Sequence, residues 1–226
     1  MVKKRSRKIL LIGILLFIIL ILAVIIYTYL GTQSAQGLVP KVTAGDFFTY
    51  EVKGLWSSTD PNATISDSLL LLNMTEWYRV TITDVSGTEV STHNVWRFTN
   101  GTELEENGKV DVETGLYSGG FWAIYAADLR ANDRTRVHEI DQSTINQTIT
   151  RNYGAGGTRE TNLLVITSQF SNVEDPSRIY NENMTIYFDR QIGNLVELRN
   201  ERMYNIPEMS ETILWKLIDS NVWNVS

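Results

Sequence analysis

The longest hydrophobic pattern in the chain is an uninterrupted apolar run near its N-terminus. Residues 9–27, ILLIGILLFIILILAVIIY, contain no charged side chain. Nineteen helical residues at about 1.5 Å each span close to the roughly 30 Å hydrocarbon core of a bilayer. Because a backbone in lipid must satisfy its own hydrogen bonds, the run predicts a transmembrane helix within an anchor over residues 9–30.

A cleaved signal peptide is the alternative interpretation of this run. Signal peptides usually have a shorter apolar region, about 7–15 residues, that ends at a small-x-small cleavage site. The following sequence, GTQSAQG, offers no good site, so an uncleaved anchor is favoured. A pilin-type signal is a further alternative, although no Gly or Ala follows the basic residues in the usual manner.

The positive charge that precedes the apolar run predicts its orientation. Residues 1–8, MVKKRSRK, carry five basic side chains and no acid. Basic segments stay on the cytoplasmic side, so residues 1–8 are predicted to be cytoplasmic and the chain after residue 30 extracytoplasmic. The predicted location is the cell membrane, with the lipid bilayer as a partner through residues 9–30.

Apolar and polar side chains alternate with period two in the rest of the chain, which is typical of strands. The run DFFTYEV places Phe48 with Tyr50 on one face, and EWYRVTITDV places Tyr78 with Val80. Residues 31–44, small and polar around Pro40, are predicted to be a tether. Residues 45–226 are therefore predicted to form one extracytoplasmic β domain.

Short turns between the predicted strands favour antiparallel pairing of sequence neighbours. Nine or ten strands are expected, and turn signals occur at Ser86-Gly87, Asn100-Gly101, Asn107-Gly108 and DRQIGN. The best helix candidate is FWAIYAADLRAN, residues 121–132. The predicted fold is mainly β: one antiparallel domain, as a curved sheet (half-barrel) or a sandwich, with one short helix covering part of its apolar face.

Composition narrows the possible partners and chemistry. The chain has no cysteine, which excludes disulfides and thiolate sites. Beyond residue 8, 15 Lys and Arg stand against 26 Asp and Glu, a formal charge of −11. Because an acidic domain repels a phosphate backbone, no nucleic-acid partner is expected. An extracytoplasmic domain without disulfides is ordinary for archaeal and many bacterial envelopes.

The segment NYGAGGTRE, residues 152–160, is the one glycine-rich candidate for phosphate binding. A P-loop needs GxxxxGK[ST] ahead of a helix, whereas this segment lacks the lysine and precedes a strand-like run. It is therefore predicted to be a hairpin tip between strands over residues 145–153 and 158–168. Arg159 falls on the strand phase of Leu163 and is expected to pair with an acid.

No constellation of catalytic or metal-binding residues is recognisable, so the protein is predicted not to be an enzyme. The two histidines, His93 and His138, lack HExxH spacing, and no GxSxG elbow is present. The acidic residues around Asn107-Gly108 do not match a calcium loop and are expected to form a solvated hairpin, with weak divalent-cation binding as the alternative. These residues are Glu103, Glu105, Glu106, Asp111 and Glu113. No cofactor is expected.

Two further sets of residues are candidate sites. Asn-x-Ser/Thr sequons, which make a glycoprotein one expectation, occur at Asn62, Asn73, Asn100, Asn146, Asn183 and Asn224. Among the tryptophans, Trp96 and Trp215 lie in apolar-patterned strands and are expected in the core. Trp77, on a polar phase, and Trp122 are the aromatic side chains expected to face a ligand, if one binds.

Several motifs resemble a group of uncharacterised archaeal membrane-anchored surface proteins over nearly all of residues 45–226. They are AGDFFTYEV, ITDVSGTEVSTHNVWRFTNGTE, AADLRAND, IYFDRQIGNLVELR and WKLIDSNVW. These are turn and core motifs, so the resemblance implies a fold and no activity. The segment FDRQIGNLVEL is also similar to strands of lipoprotein-carrier domains of the LolA and RseB kind, which implies a curved sheet around an apolar concavity.

Three functional hypotheses follow. The first is a non-catalytic, single-pass cell-surface protein whose β domain binds envelope proteins or glycans, and it predicts a filled core. The second is a carrier or sensor of lipid or another hydrophobic ligand, and it predicts an apolar pocket rimmed by an aromatic such as Trp77 or Trp122. The third, an extracytoplasmic hydrolase, predicts acids or a histidine that converge in a cleft.

Overall fold

Ten strands in the computed structural model form a single antiparallel sheet, as the alternating pattern predicts. The structure describes residues 37–136, 143–153, 156–171 and 178–225. In chain order the strands are β1 (Phe47–Ser58), β2 (Thr75–Ser86), β3 (Glu89–Phe98), β4 (Glu103–Asp111), β5 (Tyr117–Ser118), β6 (Gln147–Asn152), β7 (Thr158–Ser171), β8 (Ile179–Asp189), β9 (Leu195–Asn205) and β10 (Glu208–Ser220).

The predicted cytoplasmic segment and the predicted anchor, residues 1–8 and 9–30, lie outside the described residues. Within the described residues, no helix has the length and hydrophobicity needed to span a bilayer. Residues 38–226 form a compact unit by themselves.

The strand order shows how this unit is assembled. The order is β5-β4-β3-β2-β1-β10-β9-β8-β7-β6, so two meanders are joined by pairing of the first strand with the last. That pairing runs from Phe48 opposite Ser220 to Ser58 opposite Met209. The edge strands β5 and β6 do not pair with each other, so the sheet is open. The prediction of one antiparallel sheet is confirmed.

One face of the sheet, here called the inner face, carries the core. Tyr78, Val80 and Ile82 of β2 are at most 1% exposed, whereas Arg79 and Thr81 between them are half-buried on the opposite, outer face. The same alternation continues across the neighbouring strands. Since successive strand side chains point to opposite faces, the period-two pattern of the sequence correctly identifies the buried side of each strand.

The connection from β5 to β6 covers part of this inner face. Because these strands are the opposite edges of the sheet, the chain between them must cross it. Residues 119–136, here called the cover segment, include Phe121, Ala123, Ile124, Tyr125 and Ala126, all at most 3% exposed. The cover segment thus completes the core that the sheet alone would leave open.

The helix predicted for residues 121–132 is wrong, because the cover segment has no regular secondary structure. Its backbone bonds to other parts of the chain: Tyr125 N donates to Gly193 O, and Ala127 N donates to Val39 O. Tertiary hydrogen bonds here override the helix propensity of an alanine-containing run.

The one α-helix of the described residues lies elsewhere. It is α1 (Asp67–Asn73), in the connection between β1 and β2. The side-chain oxygen of Ser66 accepts a hydrogen bond from Leu69 N and caps its N-terminus. Leu69 is buried, while Leu70 and Leu71 are 45% and 54% exposed.

Most predicted turns are confirmed, but Asn107-Gly108 is not a turn. Both residues lie inside β4, where Asn107 pairs with His93 and Gly108 with Thr92. A Cβ atom on Gly108 would lie 2.9 Å from the carbonyl oxygen of Ser118, so glycine allows the β5 backbone to approach. The acidic residues Glu103, Glu105 and Glu106 are therefore on one strand and do not form a hairpin.

The glycine-rich segment is the tip of the β6–β7 hairpin, as predicted. Asn152 pairs with Thr158 at the end of the ladder, although Gly154 and Ala155 lie outside the described residues. Arg159 pairs with an acid, as expected: its Nε donates to Oδ2 of the buried Asp189 at 2.6 Å. The same guanidinium lies 4.7 Å from the ring centre of Trp223.

The turn between β8 and β9 supports the cover segment through a backbone-only contact. Gly193 has φ +90°, and a Cβ atom on it would lie 2.0 Å from Tyr125 O. Gly87, in the β2–β3 turn, has φ +62° and open space around it. Both glycines adopt a left-handed conformation that would strain any other residue, but only Gly193 also leaves room for the Tyr125 carbonyl.

We therefore expect Gly193→Ala to destabilise the protein far more than Gly87→Ala. At Gly87 the backbone strain alone should cost about 1–2 kcal/mol. At Gly193 the collision with the Tyr125 carbonyl adds to that strain and should raise the loss to about 3 kcal/mol or more. Urea unfolding of both variants measures the difference, and equal losses would show that the Gly193–Tyr125 contact is not a tight one.

Candidate ligand-binding clefts on the inner face

The side chains on the inner face of β7–β10 change from apolar to charged to aromatic along the strands. Side chains directly opposite each other form four rows, spaced by about 6.8 Å because alternate residues share a face. Moving away from the cover segment, the rows are Leu164, Ile186, Leu198 and Trp215; Ile166, Met184, Asn200 and Ile213; Ser168, Glu182, Arg202 and Glu211; Phe170, Tyr180, Tyr204 and Met209. The first two rows are mainly apolar, the third is charged and the fourth is mainly aromatic.

Two neighbouring clefts open where the cover segment leaves these rows exposed. The Arg136 cleft, of about 320 Å³, lies between Arg136 and Tyr125 of the cover segment and the inner face of β7 and β8. The Ile213 cleft, of about 310 Å³, lies between Phe121 and the inner face of β8–β10. Trp122, Glu182 and Met184 line both clefts, so the Trp122 ring stands between them.

Arg136 holds this part of the cover segment in place. Its side chain is 2% exposed, and its Nη2 donates to the carbonyl oxygen of Trp122 at 2.7 Å. The guanidinium also lies 4.6 Å from the ring centre of Tyr125 and 5.5 Å from that of Trp122. Hydrogen bonds and cation–π contacts from one buried cation therefore position both rings at the clefts.

The third row supplies polar groups at one end of both apolar clefts. Oε1 of Glu182 accepts hydrogen bonds from Asn200 Nδ2 and Arg202 Nε, both at 2.8 Å. Burial raises the pKa of Glu182, but these hydrogen bonds and the Arg202 charge outweigh burial and hold it below its ordinary value. With Glu211, which accepts from the Tyr204 hydroxyl at 3.3 Å, the row carries two carboxylates and one guanidinium.

The fourth row extends the groove as a partly exposed aromatic surface. The rings of Phe170 and Tyr180 stack with centres 4.8 Å apart, and those of Tyr180 and Tyr204 lie 5.3 Å apart. Phe170 remains 40% exposed. A ligand on the inner face would therefore meet apolar, charged and aromatic surfaces in that order.

The structure separates the two aromatic residues that the sequence singles out. Trp122 lines both clefts. Trp77 lies on the outer face, where the guanidinium of Arg79 is 5.4 Å from its ring centre. Trp96 and Trp215 are half-buried and pack with Tyr78, whose ring centre is 4.4 Å from that of Trp96.

The patterns described above did not predict the polar groups of the clefts, although the sequence contains a signal for them. Glu182 stands on the strand phase of Tyr180, Met184 and Ile186, which is otherwise apolar. Arg202 stands on the phase of Leu198 in β9. A charged residue on the buried phase of a strand has to be paired, and two such residues on adjacent strands indicate a polar site.

Neither histidine is among the described residues that line the two clefts. His93 is on the outer face, 3.2 Å from Asn107 Oδ1 and 3.5 Å from Glu105 Oε2, and His138 lies outside the described residues. Within the described part of the chain, no group of three or more His, Cys, Asp or Glu side chains is arranged to hold a metal ion. The clefts bring together the carboxylate of Glu182, the guanidinium groups of Arg136 and Arg202 and the amide of Asn200 at an apolar surface, an arrangement suited to binding.

The chain was compared with known families and curated proteins. No protein-family model and no curated sequence matches it. Fold and clefts alone therefore define its class, a single-sheet antiparallel β protein with a partly covered inner face.

The asparagine side chains of the six sequons differ in their exposure and in their hydrogen bonds. Asn62 is exposed, and Asn100 is exposed in the β3–β4 turn, where its Oδ1 accepts from Thr102 N. Asn73 ends α1 and closes on the β1 backbone: its Nδ2 donates to Gly54 O at 2.9 Å, and its Oδ1 accepts from Gly54 N at 2.8 Å. The remaining three are Asn146 and Asn224, both exposed, and Asn183, which is half-buried on the outer face of β8.

We predict that Asn62 and Asn100 are glycosylated in the native host and that Asn73 is not. A transferase needs the amide nitrogen, and at Asn73 that atom is held by the Gly54 carbonyl. Peptide mapping by mass spectrometry of protein from native membranes measures the occupancy of each site. A glycan on Asn73, or none on any sequon, would contradict this assignment.

Glu182 should make stability depend on pH in the acid range. Its pKa is lower in the folded state than its unfolded value of about 4.3, so its contribution is present above that value and is lost as pH falls through the folded pKa. Glu182→Gln should therefore be about 1 kcal/mol less stable than the wild type at pH 7, and the difference should shrink at pH 3. Urea midpoints at both pH values check this.

Glu208→Gln is the matched control, because Glu208 is exposed at the β9–β10 turn. This substitution should leave the midpoint unchanged at both pH values. A Glu182→Gln deficit that persists unchanged at pH 3 would show that the effect does not come from the Glu182 charge.

Proposed function

We propose that the protein is a membrane-anchored, extracytoplasmic binding protein that holds an amphipathic ligand, such as a lipid of the envelope, in the clefts of its inner face. The observation that carries this proposal is the pair of adjacent clefts around Trp122, lined by Met184 and closed at one end by Glu182. Of the three hypotheses from the sequence, this pair of clefts supports the carrier or sensor.

The chemistry of the clefts matches an amphipathic ligand. The apolar floor extends over two rows and ends at the charged row, so a short hydrocarbon segment fits beside Trp122 while its polar end reaches Glu182 and Arg202. Each cleft, at 310–320 Å³, is at the lower end of the range of about 300–1,000 Å³ for small-molecule sites. A ligand that passes under Trp122 would use both.

The polar groups of the clefts are better suited to binding a ligand than to catalysing hydrolysis. A general acid needs a carboxyl whose pKa is raised toward neutrality. Hydrogen bonds from Asn200 and Arg202 lower the pKa of Glu182 instead and keep it ionised. Glu182 is thus suited to accept hydrogen bonds from a ligand.

The proposed location rests on the sequence before the β domain. The basic residues 1–8 and the apolar run that follows support a cytoplasmic N-terminus and an anchor over residues 9–30. An anchored domain remains near the bilayer, where amphipathic envelope components are abundant. Glycans on Asn62 or Asn100 would independently place the domain outside the cytoplasm.

Ligand binding can be tested with residues 38–226, which form a compact unit. We expect native mass spectrometry of protein from native membranes to show a co-purifying lipid-sized mass. We also expect 9,10-dibromostearic acid, whose bromine atoms quench nearby indole rings, to quench tryptophan fluorescence saturably. Trp122→Phe should remove a large part of that quenching.

Cleft-filling variants supply the control. Met184→Phe should weaken binding at least about tenfold by filling the space shared by the clefts. Thr185→Phe, at the next position but on the outer face, should leave binding unchanged. A protein with no bound mass and no saturable quenching, or equal effects of both variants, would overturn the proposal.

A further inference from the structure

Four polar side chains meet on the inner face of β2–β4, on the other side of the sheet centre from the clefts. Asn94 lies opposite Glu106, and Thr92 lies opposite Gly108. Tyr78 is the diagonal neighbour of Asn94 across β2 and β3. These positions continue the strand phase of Val90 and Trp96, so the cluster interrupts an otherwise apolar surface.

The buried polar atoms of Asn94, Thr92 and Tyr78 have no hydrogen-bond partners among the described residues. Asn94 is fully buried, yet neither its Oδ1 nor its Nδ2 makes a hydrogen bond. The hydroxyl groups of Thr92 and Tyr78 are equally buried and equally unpaired. Because buried polar groups in native proteins are almost always satisfied, four such atoms in one place indicate a bound species.

Three of the surrounding polar atoms converge on one small volume. The point where a Cβ atom of Gly108 would lie is 2.9 Å from Thr92 Oγ1, 3.2 Å from Asn94 Nδ2 and 2.9 Å from the carbonyl oxygen of Ser118. Because residue 108 is glycine, no side chain separates these three atoms from one another. The two atoms of the Asn94 amide exchange places by rotation, so either the oxygen or the nitrogen can face it.

Glu106 adds a negative charge to the cluster. Its carboxylate reaches over the backbone of Gly120, where a Cβ atom would lie 2.0 Å from Oε1. Neighbouring cations are engaged elsewhere: Lys109 binds Glu89, and Arg97 binds Glu103.

We propose that Glu106, Asn94, Thr92 and the Ser118 carbonyl bind one small cation through their oxygen atoms, with the Tyr78 hydroxyl beside them. Hard metal ions such as Ca²⁺ and Na⁺ prefer carboxylate, amide and carbonyl oxygens, and a primary ammonium group uses the same acceptors. With one carboxylate, the dissociation constant for Ca²⁺ is expected at about 10⁻⁴–10⁻³ M, the range of extracellular calcium modules. The site would tie β2–β4 to residues 118–120, where the cover segment begins.

Thermal unfolding of the full chain in detergent, freed of metal by chelation and kept in tetramethylammonium buffer, tests the proposal. The probes are CaCl₂, MgCl₂, NaCl and methylammonium chloride. At least one should raise the unfolding midpoint saturably by several degrees. A response to a metal salt alone identifies a metal ion, and a response to methylammonium alone identifies an ammonium group as the natural occupant.

Variants show which residues are needed for the cation-dependent shift. Asn94→Leu and Glu106→Gln should abolish the cation-dependent shift, whereas Glu105→Gln, next to Glu106 but on the outer face, should retain it. Asn94→Asp keeps the side-chain shape and adds a charge, so it should unfold earlier without cation and recover with it. This variant decides the question if Asn94→Leu does not fold.

The proposal would be overturned by two results. One is a midpoint that no probe raises. The other is a cation-dependent shift that Asn94→Leu and Glu106→Gln retain in full, as Glu105→Gln does, since the ion would then bind elsewhere. Neither result would affect the clefts around Trp122, because they are lined by different residues.

Discussion

The structure depends on one topological constraint: the chain must pass between the two opposite edges of a ten-stranded sheet. The two meanders extend in opposite directions from the central β1–β10 pair, so β5 and β6 are the two edges of the sheet. The connection crosses the inner face, which is the face that needs an apolar cover. One segment therefore closes the topology and completes the core, and its residues are buried although they form neither helix nor strand.

The clefts are a consequence of how far that cover reaches. Turn residues of the β8–β9 hairpin and the buried Arg136 hold the cover segment through backbone carbonyls, which leaves its side chains free to pack on the sheet. Trp122 stands at its border, where the two clefts open over the rows of Met184 and Glu182. An incomplete cover on an apolar face is a physical basis for binding a ligand there.

Polar residues at buried positions mark both candidate sites. Glu182 and Arg202 form a hydrogen bond with each other. The proposed cation would be the missing partner of the Asn94 side chain. Each breaks the apolar phase of its strand, at a cost that a purely structural core would avoid. Departures from an otherwise consistent pattern are where function is expected.

Local patterns in the sequence determined the strands, their buried phases, most turns and the acid partnership of Arg159, because period-two alternation and turn chemistry act between near neighbours. Only the tertiary structure decided the rest. Residues 121–132 lost their helix to hydrogen bonds with distant loops, and Asn107-Gly108 became strand because β5 packs against it. Both candidate sites bring together residues from at least three strands. Such convergence depends on register and on the path of the cover segment, which no local pattern contains.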